Sequence, residues 1–253
     1  LSFSIPGSGD SYVDITSTDS YSIDFNVDDV SFSAVSGTIA TTLVDIDPIT
    51  FNIDAAVLEA AVTPATRAII PVHMRGAAAD MASVVDMARR HDLVVIEDAA
   101  QAMGGSFGGR RLGTIGDIGC FSLQYNKIIT CGEGGVVTTD DVALHARAQM
   151  YHDVAAVARG EEAGTPGYFG ITCRMSELQG AVSLEQTERI DELVDLRCRI
   201  GKLFLDAVGD CPFLVPQWTP PDCKHTYWTF VCRFETELAG CSWDDFRERF
   251  FAL

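Results

Sequence analysis

Lys127 is the residue with the clearest chemical potential, and it lies in the stretch GDIGCFSLQYNKIITCGEGG, residues 116–135. It is a single cation among apolar and small residues, and a glycine-rich turn follows it. An apolar setting favours the neutral form of an amine, and a neutral lysine is the nucleophile that forms a Schiff base with a carbonyl group. The sequence therefore indicates covalent catalysis at Lys127.

Three other polar residues fit the same chemistry. Asp98 ends the apolar run LVVIEDAAQ, Gln101 follows it, and Ser122 precedes the lysine in the predicted strand CFSLQ. Pyridoxal phosphate needs a carboxylate facing its ring nitrogen, a donor for its phenolic oxygen and groups that bind its phosphate. Each residue alone has an ordinary explanation, since a buried aspartate is more often a cap or turn residue. Their combination with Lys127 predicts this cofactor.

The segments around these residues alternate between strand and helix patterns. RAIIPVHM and LVVIEDAAQ are apolar runs of strand length, and ADMASVVDMARRHD between them has helical periodicity. This order predicts a parallel strand pair with a right-handed crossover, in which ligands bind at the carboxyl ends of the strands. Asp98 and His73 fall at such ends. The apolar helix face is predicted to consist of Met81, Val84, Val85 and Ala88.

The chain divides into three predicted segments. Residues 1–42 are a divergent Ser/Asp-rich segment whose alternation indicates strands or an extended arm, 43–210 a large cofactor-binding domain, and 211–253 the start of a smaller C-terminal domain. SELQGAVSLEQTERIDELVDLRCRIGKLFLDAV is one long helix or two and opens with a capping box, Ser176 and Gln179. HTYWTFVCRFE is predicted to be a strand. We expect the protein to begin upstream of Leu1 and to continue beyond Leu253.

Composition excludes several classes of partner. The net charge is −18, from 18 basic and 36 acidic side chains, which argues against nucleic acid or an anionic membrane. No apolar run is long enough to span a bilayer. The eight cysteines include no C-x-x-C pair and no zinc-finger spacing, so we expect no metal site. Scattered thiols indicate a reducing, cytoplasmic location.

The block VIEDAAQAMGGSFGGRRLGTIGDIGCFSLQYNKIITCGEGGVVTTD closely resembles the DegT/DnrJ/EryC1/StrS family of pyridoxal-phosphate-dependent sugar aminotransferases, and the resemblance runs from about Leu43 to Glu235. It implies a fold-type I, α/β architecture with a mixed, mostly parallel sheet and a truncated smaller C-terminal α/β domain. It also implies a homodimer with sites at the subunit interface.

The family's functional residues map onto this chain. Its Schiff-base lysine matches Lys127, its ring-nitrogen aspartate Asp98, its glutamine Gln101 and its phosphate-binding serine Ser122. A sister branch of dehydratases has histidine in place of this lysine, so the resemblance implies transamination. The amino donor would be glutamate or glutamine. The acceptor would be a keto sugar, nucleotide-linked or free, or a keto-cyclitol.

The chain departs from the family in three places. Thr172 stands where the family has an asparagine that reaches the partner subunit's cofactor phosphate. Ser36-Gly37-Thr38 repeats the family's phosphate-binding loop but lies so close to the next strand that we expect a chance match. Arg75 replaces a common aromatic residue and is either a surface arginine, the somewhat favoured reading, or a contact for an anionic substrate. The first two departures support an alternative function, a non-catalytic or regulatory relative with an impaired phosphate site.

Two further positions are open at this level. His73 is equally well explained as a pocket residue or as a structural histidine with satisfied hydrogen bonds. Tyr227 and Trp228 are expected to pack within the second domain.

Overall fold

The computed structural model describes residues 40–153 and 172–252. Val44–Gln149 and Cys173–Leu253 form one compact unit, and Leu1–Leu43 with Met150–Thr172 form another. Most of the second unit, including the predicted strands of residues 1–35 and the Ser36-Gly37-Thr38 match, lies outside the described residues. The predicted division at residues 42 and 210 stays a prediction.

The strands of the first unit are short and form three sheets. They are β1 (Ala68–Ile69), β2 (Val94–Asp98), β3 (Ser106–Phe107), β4 (Arg110–Arg111), β5 (Ile118–Ser122), β6 (Gly135–Thr138), β7 (Leu214–Pro216), β8 (Cys223–Lys224) and β9 (Cys232–Phe234). The largest sheet has the order β1-β2-β5-β6, with β1, β2 and β5 parallel and β6 antiparallel to β5. The other sheets are β4-β3-β8 and β7-β9. The predicted α/β class with a mixed, mostly parallel sheet is confirmed.

The described α-helices are α1 (Ala55–Leu58), α2 (Met81–Arg90), α3 (Val142–His152), α4 (Glu177–Glu188), α5 (Ile190–Val208), α6 (Thr236–Ala239) and α7 (Trp243–Phe251). Of these seven helices, α2 packs on the main sheet and α5 contacts β7. Asp80 caps α2 by accepting a hydrogen bond from the Ser83 amide. The apolar face of α2 packs against Ile69 and Val95 of the sheet. Within residues 40–153 and 172–252, no helix is both long and apolar enough to cross a membrane.

Local signals in the sequence are largely confirmed. Met81, Val84 and Ala88 are buried on α2 as predicted, while Val85 is half-buried and Met87 is an additional core residue. The capping box of Ser176 and Gln179 is present at the start of α4. The following long pattern is two helices, α4 and α5, which meet at Arg189.

Two predicted strands are shorter than expected. In RAIIPVHM only β1 is a strand; beyond Pro71, which has no amide hydrogen, Val72 forms an isolated bridge with Asp98. In HTYWTFVCRFE only β9 is a strand, and residues 225–231 are irregular. Tyr227 has a left-handed backbone with φ 48°, which a regular strand does not allow. This irregular segment contributes to the candidate site.

Candidate active site

Asp98 and Ser122 lie at the same edge of the main sheet. Asp98 is the last residue of β2 and pairs with Cys120 of the parallel strand β5, which ends at Ser122. The Asp98 carboxylate accepts a hydrogen bond from the Ala100 amide at 3.0 Å, and the Ser122 hydroxyl accepts one from the Gln124 amide at 3.3 Å. Both side chains are half-buried at the carboxyl ends of their strands, the position where α/β sheets bind ligands.

A buried pair, Glu97 and His73, lies behind Asp98. Both side chains have no exposed surface, and His73 Nε2 lies 3.0 Å from Glu97 Oε2. The Gly113 and Gly116 amides also donate to the Glu97 carboxylate, at 2.8 and 2.6 Å, and the Ile115 amide is a further donor. Burial raises the pKa of Glu97, but the hydrogen bonds from His73 and these amides outweigh it, so the pKa is lowered. Glu97 is therefore an ionised acceptor.

His73 is a structural histidine rather than a pocket residue. Its Nδ1 accepts a hydrogen bond from the Ala79 amide at 3.1 Å, so Nε2 carries the proton that is donated to Glu97. The His73 amide donates to the Asp98 carbonyl at 3.0 Å. The buried pair thus connects the end of β2 to the loop that leads into β5. Burial, and then the charge of Asp98, raise the pKa of Cys120 on that strand.

The loop that carries Lys127 is anchored by the two isoleucines that follow it. Ile128 and Ile129 are buried in a cluster with Leu123 and Val194 of α5. The Lys127 amide donates to the Gln124 carbonyl at 3.0 Å, which closes a turn directly after β5. These contacts hold Lys127 half-buried at the sheet edge, as the sequence predicts.

Trp228 connects Lys127 to the loop after β1. The ammonium nitrogen of Lys127 lies 4.7 Å from the centroid of the Trp228 ring, and the Arg75 guanidinium carbon lies 5.8 Å from it. The Trp228 indole N–H donates to the Asn126 carbonyl at 2.9 Å. Arg75 in turn donates its backbone amide to Gln101 Oε1 at 2.7 Å. Lys127 and Gln101 are therefore linked through two residues that were not predicted as site residues.

The segment that carries Trp228 is closely packed against its neighbours. Gly76 has φ 103°, and a Cβ there would lie 2.3 Å from the Thr226 hydroxyl. A Cβ at Gly201 of α5 would lie 2.7 Å from the Tyr227 ring. Arg197 of α5 donates to the Tyr227 and Trp228 carbonyls at 3.1 and 3.3 Å. The prediction that Tyr227 and Trp228 pack within the second domain is incomplete, because Trp228 also contacts the Lys127 loop.

Two contributors lay beyond sequence reasoning. Glu97 directly precedes Asp98 inside a buried strand. An ionisable residue in such an apolar run indicates a hydrogen-bonded site, because a buried charge needs partners. Trp228 is 102 residues from Asn126 in the chain, so no local pattern relates them. Thr172, the substituted family asparagine, is exposed in this chain.

The sequence matches the DegT/DnrJ/EryC1/StrS aminotransferase family over residues 29–250, and the chain belongs to this family. The match begins before Leu43, so the resemblance extends further toward the N-terminus than the quoted motifs indicate. GDP-perosamine synthase of Caulobacter vibrioides is 45% identical over 204 residues, which are 78% of this chain and 53% of that protein. The L-glutamine:scyllo-inosose aminotransferase of Streptomyces griseus is 37% identical over 217 residues, 82% of this chain and 51% of that protein.

A solved structure has the same fold as this chain. The S. venezuelae protein DesV, in complex with a ketimine intermediate, superposes with a TM-score of 0.74 at 30% identity and covers 83% of this chain and 54% of that one. The predicted fold-type I architecture is thereby confirmed. The chain spans about half the length of the curated relatives that it matches.

Proposed function

We propose that this chain carries the cofactor-binding part of a pyridoxal-phosphate-dependent aminotransferase that acts on a keto sugar, nucleotide-linked or free, or a keto-cyclitol. Glutamate or glutamine is the proposed amino donor. Family membership and the names of the two relatives support this activity. The observation that carries it is the half-buried Lys127 over Trp228, linked to Gln101 and lying at the sheet edge of Asp98 and Ser122.

The polar groups at this edge fit pyridoxal phosphate. Asp98 supplies a carboxylate for the ring nitrogen, Ser122 a hydroxyl for the phosphate and Lys127 an amine for the aldehyde carbon. Because Gln101 Oε1 accepts the Arg75 amide, the Gln101 amide nitrogen is left as a donor for the phenolic oxygen. When bound, the cofactor supplies an electron sink for the substrate carbon that loses its proton.

The side chains of this chain then have distinct tasks. With the cofactor bound, Lys127 would hold its aldehyde carbon until the donor's amine takes that place, and the Lys127 Nζ would then accept the proton from the donor's α-carbon. Asp98 holds the proton on the ring nitrogen. Trp228 covers Lys127 on one side. In the second half of the reaction, the Lys127 Nζ would move a proton in the opposite direction, onto the carbon of the keto substrate that receives the amino group.

A homodimer is the proposed assembly, with both subunits contributing to each site. Apolar side chains on α4 and α5 support it, because Leu178, Leu184 and Leu203 are 76%, 61% and 68% exposed. We also propose a reducing, cytoplasmic location, which the eight unpaired cysteines favour. The alternative of a non-catalytic relative is disfavoured by the retained Lys127 and by relatives that are named as aminotransferases.

Substitution of Lys127 tests the proposed function. Lys127→Ala removes the nucleophile, and we expect transfer from glutamate or glutamine to fall below detection. Lys127→Arg is the matched control for packing, because it keeps a cation over Trp228 but offers no nucleophilic amine at neutral pH. It should keep the unfolding temperature of the wild type and be equally inactive. Transfer by Lys127→Ala at the wild-type rate would refute the assignment.

A further inference from the structure

Arg75 has a strained backbone in an otherwise ordinary turn. It lies in the short turn Met74–Gly76 with φ 62° and ψ 5°, the left-handed region that favours glycine. The strain is maintained by the hydrogen bond from the Arg75 amide to Gln101 Oε1. Tyr227, next to Trp228, has the second left-handed backbone of this region, with φ 48°. Strained residues of this kind cluster at functional sites, where surrounding contacts hold them.

The charge of Arg75 is not balanced by any carboxylate among the residues that the structure describes. Within residues 40–153 and 172–252, no carboxylate forms an ion pair with Arg75 or with Lys127. Both cations instead contact one Trp228 ring. The single polar contact of the Arg75 guanidinium in the described residues is a long one, 3.4 Å to the Thr229 hydroxyl. In a chain of net charge −18, a half-buried guanidinium with no carboxylate partner among the described residues is suited to bind an anion.

We propose that Arg75 binds the α-carboxylate of the amino donor and so determines its affinity; this inference rests on the proposed function. The guanidinium offers a planar, two-pronged donor that matches a carboxylate. The donor's amine must replace Lys127 at the reacting carbon, and its α-carboxylate is attached to the same carbon as that amine. Arg75 and Lys127 contact the same Trp228 ring, so the proposal assigns the donor's carboxylate to Arg75 and its amine to the position of Lys127.

The phosphate groups available at the site are less suited to Arg75. The cofactor phosphate is assigned to Ser122, the last residue of β5, whereas Arg75 lies in the loop after β1. The phosphates of a nucleotide-linked sugar are separated from the reacting carbonyl by the sugar ring. Binding of the donor carboxylate, the cofactor phosphate or the sugar-nucleotide phosphates to Arg75 would each change a different constant in Arg75→Gln. One variant therefore distinguishes the three anions.

The test is a set of binding titrations with the whole chain. The donor probe is α-methyl-L-glutamate, which keeps the α-carboxylate but has no α-hydrogen and so binds without turnover. For Arg75→Gln we expect its Kd to rise about 10- to 100-fold, while the Kd of pyridoxal phosphate and the KM of the keto substrate stay within twofold. Arg75→Lys should recover part of the loss. Arg89→Gln, an exposed cation on α2, is the control for net charge and should change none of these constants.

The opposite results are equally defined. An unchanged donor Kd, a rise in the cofactor Kd or a rise in the KM of the keto substrate would each overturn the assignment, as would wild-type protein that does not bind the probe. Arg75→Gly addresses folding, because glycine adopts φ 62° without strain. Its unfolding temperature should equal or exceed that of the wild type, and a large decrease would make Arg75 structural. Wild-type protein that binds the probe but transfers no amino group would instead refute the proposed function alone.

Discussion

The Glu97–His73 pair and the Trp228 region show two opposite uses of charge. At Glu97, the ionised carboxylate is fully buried and accepts hydrogen bonds from His73 and from three amides of residues 113–116. At Trp228, Lys127 and Arg75 contact one ring, and neither has an ion pair within the described residues. The hydrogen bonds of the first region are satisfied without a ligand, whereas the positive charge of the second region is available to bind an anion.

This difference has a physical reason. A buried carboxylate costs several kcal/mol unless it is fully hydrogen-bonded, so Glu97 can only serve to hold the backbone around it. Half-buried cations next to an aromatic ring remain partly hydrated and can exchange water for an anionic ligand. The protein thus fixes the sheet edge with one charged group and keeps two others for binding. The following predictions test this contrast, starting with the largest effect.

Asp98→Asn should have the largest effect on catalysis, a loss of transfer rate of about 1,000-fold or more. The amide oxygen can still accept the Ala100 amide, so the fold is kept, but an amide cannot hold a proton on the ring nitrogen. Single-turnover kinetics of the half-reaction with glutamate or glutamine give the rate, and thermal unfolding gives the control. Turnover within a few fold of the wild type would make Asp98 a structural residue.

Glu97→Gln should lower the free energy of unfolding by about 3 to 5 kcal/mol. In either orientation of the amide, its NH₂ group faces N–H donors, either His73 and Gly113 or Ile115 and Gly116. Chemical denaturation measures the loss. Glu185→Gln, at an exposed position on α4, is the matched control and should change stability by less than about 0.5 kcal/mol. Equal stabilities of the two variants would contradict the role given to the buried pair.

His225 should make stability depend on pH below neutrality. Burial lowers the pKa of His225 from 6.5 to about 4, so the unfolded chain binds the proton more readily between these values. The stability linked to this pKa shift amounts to about 3 kcal/mol. It is fully present above pH 6.5 and is lost as the pH falls toward 4. His225→Asn keeps an acceptor for the Tyr227 amide and should flatten this part of the profile. Denaturation curves at pH 4.5 and 7 measure it, and parallel profiles for both proteins would refute it.

Ser122→Ala should have the smallest effect, a rise of about tenfold in the Kd of pyridoxal phosphate. One hydroxyl is lost, while the Asp98, Gln101 and Lys127 contacts remain. Ser122→Thr keeps the hydroxyl and should bind nearly as tightly as the wild type. Fluorescence titration of the cofactor measures both. If Ser122→Ala and the wild type bind pyridoxal phosphate equally well, the phosphate is bound by other residues.

The sequence predicts those structural features that depend on residues close to one another in the chain. The α2 face, the capping box at Ser176 and the strand ends at Asp98 and Ser122 follow from periodicity and local hydrogen bonding. The proximity of Trp228 to Lys127 depends on chain segments about a hundred residues apart, and the left-handed Arg75 depends on Gln101. Such features arise only when tertiary contacts outweigh local preference, so no sequence pattern indicates them.

Chemical trapping of Lys127 tests the central claim most directly. The purified chain is incubated with pyridoxal phosphate, reduced with borohydride and digested, and the modified peptide is identified by mass spectrometry. We expect a visible absorbance band that borohydride removes and a single modified lysine, Lys127, within the peptide that contains Tyr125 and Asn126. Modification spread over Lys202 and Lys224, or an unmodified Lys127 under saturating cofactor, would contradict the assignment of this site.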